Sequence, residues 1–209
     1  MAKILALKTQ APAKFGFERV KRKKQDAESK GQLNLFSPRL SSAKVLNLPA
    51  KGTVFEQALL LDEQNDSKAH ELYQKAIEIG DCVADAFCNL GIIESRANRT
   101  DEAFDCFTRS LREDPRHWES HYNLANLYFE IGTLKLAREH YEIAAKIEPS
   151  FANIYFNLGL LLAMSEEIDV AINALSRYKD LVSEQDRHHA DDLLDSLKRS
   201  QAAPTGPGS

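Results

Sequence analysis

The sequence predicts an all-α solenoid in which short helices pair into hairpins and successive hairpins stack. Three observations predict this fold. Asn89, Asn123 and Asn157 recur at a spacing of 34 residues, and each is followed by Leu and then by Gly or Ala. Apolar residues within each 34-residue unit follow helical spacing. Pro115 and Pro149 occupy matching positions, where a second helix of the unit would have to end.

Each unit contains two predicted amphipathic helices. The first helix of the middle unit carries an i, i+3, i+4, i+7 stripe, formed by His121, Leu124, Ala125 and Tyr128. Small residues recur within this stripe, as Gly91 and Gly159 in the flanking units, and they allow two helix backbones to approach closely. Thr100 and Thr133 are predicted as N-caps of second helices.

The pattern resembles the tetratricopeptide repeat (TPR) family, whose 34-residue unit is a helix-turn-helix. The resemblance covers about residues 52–183 and implies a superhelical solenoid of about four repeats, of which the first, at 52–80, is degenerate. Residues 184–200 are predicted to form a capping helix, because they carry another apolar stripe made of Ala190, Leu193, Leu194 and Leu197. Residues 1–51 and 201–209 show no sustained period, so we expect both tails to be mostly disordered.

The predicted binding site lies on the face of the first helices opposite the core stripe. In TPR proteins the first helices line a concave groove, and the resemblance implies these groove residues: Asn89, Glu119, Tyr122, Asn123, Asn126, Phe129, Glu130, Asn153, Phe156 and Asn157. The recurring Asn resembles the asparagine ladder of O-GlcNAc transferases, in which stacked amides hold the backbone of an extended peptide. One amide offers both a donor and an acceptor, so it can pair with a peptide N–H and C=O. The alternative is that each Asn bonds a neighbouring helix.

The net charge of −4 conceals a strong asymmetry. Residues 1–51 hold 12 Lys and Arg against 3 Asp and Glu, so this tail carries +9 and residues 52–209 carry −13. These opposite charges raise the hypothesis that the tail occupies its own groove. The groove has no Lys near Cys88 or Tyr122 and therefore lacks the carboxylate clamp with which some TPR proteins bind acidic tails. We expect a basic or neutral ligand.

The basic tail contains two short motifs. Gln32, Leu33, Leu35 and Phe36 match the pentapeptide Gln-Leu-Ser/Asp-Leu-Phe that binds the bacterial sliding clamp, with Asn34 as the one departure. This resemblance implies an alternative function, that of a replication or repair accessory protein docked on the DNA sliding clamp. The run Val20–Lys24 could contact nucleic acid, although short basic runs are most often only solvated.

Catalysis is not predicted, because the chain has no Gly-rich phosphate loop, no nucleophile elbow and no H-E-x-x-H. No cofactor or metal is predicted either, since His117 and His121 stand at i, i+4 without a third ligand nearby. Three scattered cysteines indicate reduced thiols, and the absence of a long apolar run predicts a cytoplasmic chain without a membrane span. The sequence therefore predicts a non-enzymatic adaptor that binds a protein or an extended peptide.

Overall fold

The structure is a computed structural model that describes residues 13–21 and 52–202. Regular structure in these two ranges is helical. The helices are α1 Val54–Glu63, α2 Lys68–Glu78, α3 Val83–Arg96, α4 Thr100–Glu113, α5 Trp118–Glu130, α6 Leu134–Ile147, α7 Ala152–Met164, α8 Ile168–Leu181 and α9 His188–Ala202, with a 3-10 turn at Glu184–Asp186 before α9.

The helices pair in chain order into four hairpins, α1 with α2, α3 with α4, α5 with α6, and α7 with α8. Each hairpin also contacts the next one, through α2 with α3, α4 with α5, and α6 with α7. Helix α9 packs on α8 and covers the last hairpin with buried Ala190, Leu193, Leu194 and Leu197. The predicted all-α solenoid of about four repeats with a capping helix is confirmed.

Small residues bring the two helices of a hairpin together, as the sequence predicts. A Cβ atom added at Gly91 would lie 2.8 Å from the ring of Phe107, and one added at Gly159 would lie 2.7 Å from the side chain of Leu175. Both distances are shorter than carbon atoms tolerate. The glycines are therefore required by packing between the first and second helix of their repeats.

The turn between the two helices of a repeat uses a left-handed backbone position that also recurs every 34 residues. Asn98, Gly132 and Glu166 have φ values of 58°, 79° and 66°. Gly and Asn adopt this conformation readily, whereas Glu is strained there. The predicted cap at Thr100 is wrong, because α4 begins at Thr100 itself and makes no side-chain cap hydrogen bond.

No helix among residues 52–202 is long and apolar enough to cross a membrane.

Candidate functional site

Residues 13–21, called here the N-terminal segment, lie without helix or strand across the first helices of the repeats. Phe15 contacts α7, Glu18 contacts α5, and Val20 contacts α3. The segment therefore runs from the last repeat toward the first, opposite to the order of the repeats. The surface that it covers is called the groove below.

Three asparagines hold the main chain of this segment. The Oδ1 atom of Asn157 accepts from Phe15 N–H at 2.8 Å, and its Nδ2 donates to Phe15 C=O at 2.9 Å. Asn123 makes the same pair with Glu18, at 2.7 and 2.8 Å. Asn89 makes it with Val20, at 2.9 and 3.2 Å. Each amide thus satisfies both the donor and the acceptor of one residue, as neighbouring strands of a sheet do.

Two further side chains on α5 contact the same main chain. Asn126 donates to Gly16 C=O at 3.0 Å, and the Tyr122 hydroxyl donates to Phe15 C=O at 3.4 Å. Tyr122 and Asn126 were both expected in the groove. Together with the three asparagines they bond both main-chain groups of Phe15, Glu18 and Val20 and the C=O of Gly16, and this pairing allows a segment of irregular backbone to be covered.

Neighbouring helices orient the three amides. Asn89 donates to the Tyr73 hydroxyl at 3.1 Å, and Asn123 lies 3.3 Å from Cys88 Sγ. Asn157 donates to the Tyr122 hydroxyl at 3.1 Å and to Asn126 Oδ1 at 2.9 Å. Each amide therefore contacts both the N-terminal segment and a neighbouring helix. These second contacts fix the orientation of each amide group, and a fixed amide accepts a bound main chain in one geometry.

The amides are fully buried, with 0% exposure for Asn89, Asn123, Asn126 and Asn157. Buried amides need complete hydrogen bonding, because an unpaired one costs about 1–3 kcal/mol. The N-terminal segment supplies much of that bonding. Burial also raises the pKa of Tyr73 and Tyr122, so both hydroxyls stay neutral donors at ordinary pH.

Phe15 inserts its ring at the last repeat, between the groove and the capping helix. Its centroid lies 4.9 Å from Phe156 in an edge-to-face contact, 5.9 Å from Tyr178, and 5.7 Å from His189. Aromatic pairs at such distances and angles attract beyond the effect of burial alone. Helix α9 therefore has a second role, since His189 completes this aromatic pocket.

Charged side chains tie the segment at both ends. Arg19 Nη2 donates to Asp62 Oδ1 at 2.9 Å, and its Nε lies 2.7 Å from Oδ2 as an ion-pair contact. At the other end, Lys14 Nζ donates to Glu130 at 3.0 Å. Asp62 is 4% exposed. Burial raises the pKa of Asp62, whereas Arg19 and Arg96 act in the opposite direction.

Three other expected groove residues have surroundings of their own. Phe129 packs partly buried against the core cluster that contains Tyr122. Asn153 is partly buried, and its side chain makes no hydrogen bond to another residue within the described ranges. Glu119 is buried beside His117, with its Oε2 3.7 Å from Nδ1.

The two histidines at i, i+4 point to different partners. His117 Nε2 lies 2.8 Å from Asp85, while His121 lies 2.9 Å from His140, Nδ1 to Nδ1. Within residues 13–21 and 52–202, no three His, Cys, Asp or Glu side chains converge as a metal site would require. The clamp-like motif at Gln32–Phe36 and residues 22–24 of the basic run lie outside the described residues.

The sequence signals missed four contributors. Asp62, Tyr178 and His189 carry no repeat-wide signature, since each serves one end of the segment only, whereas Tyr73 recurs at the 34-residue period as Phe107 and Tyr141 without any sign of its contact with Asn89. The island Phe15–Phe17 was visible as a short apolar stretch. Nothing in the local sequence gives the place where it binds, because its hydrogen bonds join residues 107 to 142 positions apart.

Known proteins resemble the repeat region. The profile described as "Tetratricopeptide repeat" matches residues 106–139, and that described as "TPR repeat" matches residues 125–165. Protein bimA of Emericella nidulans is 28% identical over 90 residues, which are 43% of this chain and 11% of that protein. The chain thus spans a small part of that relative.

Solved structures share the fold. The first TPR of Spaghetti (RPAP3), bound to the HSP90 peptide SRMEEVD, gives a TM-score of 0.53 at 22% identity, covering 57% of this chain and 94% of that one. The crystal structure of MamA gives a TM-score of 0.54 at 17% identity, covering 69% of this chain and 94% of that one. Identities this low support a shared fold and nothing finer.

Proposed function

Since this chain is a tetratricopeptide repeat protein, we propose that it is a non-enzymatic adaptor whose groove binds an extended segment of a partner protein. One observation carries the proposal. The groove already holds nine residues of this chain in the manner of a bound peptide, with Asn89, Asn123 and Asn157 paired to main-chain groups.

Main-chain pairing of this kind does not depend on the side chains of the ligand. Each net hydrogen bond contributes about 0.5–1.5 kcal/mol. The two bonds from each of three asparagines then sum to about 3–9 kcal/mol, which by themselves give a free peptide a Kd between the millimolar and the sub-micromolar range rather than a nanomolar one. Affinity in this range suits a groove whose occupants exchange.

The N-terminal segment would act as a competitor in cis. Covalent linkage makes its insertion unimolecular, and linked segments commonly reach millimolar effective concentrations. Against a free-peptide Kd of about 10 μM, an effective concentration of about 1 mM raises the apparent Kd of a partner roughly 100-fold. A partner must therefore displace the segment, or bind after it has left.

The charge of the groove supports a ligand unlike the one in the RPAP3 structure. That protein holds the peptide SRMEEVD, which carries three acidic residues. Here Asp62 and Glu130 face the two ends of the occupied groove and pair with Arg19 and Lys14. Like charges placed together cost several kcal/mol, so the proposed ligand is neutral or basic.

The proposal is tested on the full chain by titrating a labelled peptide of residues 13–21, AKFGFERVK, and recording fluorescence anisotropy. A variant with Phe15→Ala and Arg19→Ala weakens the internal competitor and should bind the peptide tens of times more tightly than the wild type. Adding Asn89→Ala, Asn123→Ala and Asn157→Ala should abolish binding. Gly16→Ala is the matched control, because a Cβ there meets no atom within 4 Å, and it should behave as the wild type.

Absence of peptide binding by the Phe15→Ala, Arg19→Ala variant, with its helical circular dichroism unchanged, would remove the proposed function. The N-terminal segment would then be a permanent part of the fold.

A further inference from the structure

The groove also distinguishes side chains, and this selectivity indicates which partners it accepts. We propose that the partner segment carries an aromatic residue at one position, a basic residue four positions later, and an aliphatic residue directly after the basic one. This inference rests on the proposed function. In this chain Phe15, Arg19 and Val20 occupy the three positions. The segment enters with its N-terminal end at the last repeat.

The aromatic position is defined by a pocket built for a ring. Phe156 and Tyr178 present ring surfaces to Phe15 from α7 and α8, and His189 closes the pocket from α9. Phe156 is 1% exposed when Phe15 is in place, and the Phe15 ring is part of what covers it. An aliphatic side chain would lose the edge-to-face contact, and an alanine would leave the pocket unfilled.

The basic position is defined by Asp62. This carboxylate is 4% exposed and has Arg96 Nη1 at 3.7 Å and the Tyr73 hydroxyl at 3.3 Å besides Arg19. Arg96 is about half exposed and lies too far away for a close pair. Arg19 is therefore the principal counter-charge, and a neutral residue in its place leaves a buried carboxylate poorly compensated. Arginine suits the site better than lysine, because it contacts both carboxylate oxygens.

The aliphatic position is the most deeply buried one of the segment. Val20 is 2% exposed and belongs to a core cluster with Cys88, Ile92 and Leu124. Its N–H and C=O are both taken by Asn89. A charged residue here would have to be buried without a partner, which costs far more than the hydrogen bonds return.

Two other positions of the segment, 16 and 18, are permissive, whereas Phe17 stacks on Phe107 with ring centroids 6.2 Å apart. Gly16 is exposed, and an added Cβ meets nothing within 4 Å. Glu18 uses its main chain for Asn123, and its carboxylate lies 3.6 Å from the ammonium of the exposed Lys21. Position 16 has room for a side chain, and the partly exposed Glu18 carboxylate makes no hydrogen bond to the groove among the described residues, so conservative substitutions at these two positions should change affinity little.

The test uses the full-length variant with Phe15→Ala and Arg19→Ala, which frees the groove, and a panel of nine-residue peptides based on AKFGFERVK. Three peptides each carry one replacement: Ala for the Phe that corresponds to Phe15, Glu for the Arg, or Asp for the Val. Two matched peptides replace the Gly by Ala or the Glu by Gln. A last peptide has the same composition in reversed order. Dissociation constants are measured by fluorescence anisotropy.

We expect the first three replacements and the reversed peptide to weaken binding at least about tenfold, and the two matched peptides to stay within about threefold of the parent. If the parent binds but the matched replacements weaken it as much as the first three do, the inference fails and the proposed function stands. If the parent does not bind, the proposed function itself fails.

A second measurement, with the parent peptide of the same panel, distinguishes an unrelated partner from a second copy of this chain. Light scattering of the wild-type chain should give a concentration-independent monomer mass, since the segment occupies its own groove. A mass that rises with concentration and falls on adding the parent peptide would show that the segment serves as ligand between copies. That result would overturn the assignment of the groove to another protein.

Discussion

The side-chain amide of Asn123 closes a pair of hydrogen bonds on the main chain of Glu18, accepting from its N–H at 2.7 Å and donating to its C=O at 2.8 Å. The two residues are 105 positions apart in the chain. Asn89, one repeat earlier, and Asn157, one repeat later, make the same pair of hydrogen bonds. The 34-residue period therefore places a row of main-chain contacts along the groove.

Loss of the central amide should expose the segment to protease. Asn123→Ala removes two hydrogen bonds, which costs about 1–3 kcal/mol and corresponds to about 5- to 150-fold more open segment. We expect trypsin to cleave after Lys14 and Arg19 faster by that factor, as followed by mass spectrometry. Asn153→Ala is the control, because Asn153 lies on α7, another first helix of a repeat, and its side chain makes no hydrogen bond to the described residues. Equal rates for both variants would contradict the role of Asn123.

The histidine pair between α5 and α6 should make stability depend on pH. Burial, with the neighbouring His121, lowers the pKa of His140 to about 4. In the unfolded chain a histidine titrates near pH 6.5, so the unfolded state binds more protons between about pH 6.5 and 4. Stability should therefore be fully present above about pH 6.5 and fall as the pH drops toward 4.

Thermal unfolding at pH 7 and pH 4.5 tests this expectation. His140→Gln should show a smaller loss of Tm on acidification than the wild type, whereas His188→Gln, at an exposed residue of α9, should lose as much as the wild type. A His140→Gln variant with an undiminished acid loss would contradict the assignment.

The left-handed turn residue Glu166 should be a point of avoidable strain. Its φ is 66°, where the equivalent residue one repeat earlier is Gly132. Glu166→Gly should stabilise the fold by about 1 kcal/mol, because a left-handed conformation costs a side-chain-bearing residue roughly that much. Calorimetry should show a rise in Tm of about 2–4 °C. Gly132→Ala should produce a comparable fall, and a Glu166→Gly variant less stable than the wild type would contradict the assignment of strain.

The clamp-like motif remains a sequence prediction with its own test. A chain that docks through Gln32 and Phe36 should be retained on an immobilised bacterial sliding clamp, and Gln32→Ala with Phe36→Ala should abolish retention. Asn34→Ala is the matched control, since Asn34 already departs from the motif. A wild-type chain that passes through the column unretained would contradict the prediction.

The repeat architecture could be predicted from sequence because its causes are local and periodic. Gly91 and Gly159 mark where α3 and α7 touch their partners, and the turn positions recur with the same period. The face that carries Asn89 and Asn157 followed from helical geometry alone.

The occupant of the groove had no comparable local signal. Phe15 meets Asn157 across 142 positions, and the pairing is made by main-chain atoms that every residue has. Only the opposite charges of the tail and the repeats indicated that the tail occupies the groove. Asp62 could not be predicted as a contact residue. It lies in the degenerate first repeat, and its partner Arg19 is 43 positions away in the chain.

The central claim, that three asparagines hold residues 15–20 by their main chain, is tested most directly by amide hydrogen exchange of the wild-type chain, read residue by residue by NMR. We expect slow exchange at Phe15, Glu18 and Val20, whose N–H groups bond to asparagine Oδ1 atoms. We expect fast exchange at Gly16, Phe17 and Arg19, whose N–H groups have no acceptor among the described residues. Uniformly fast exchange across residues 15–20 would contradict the claim.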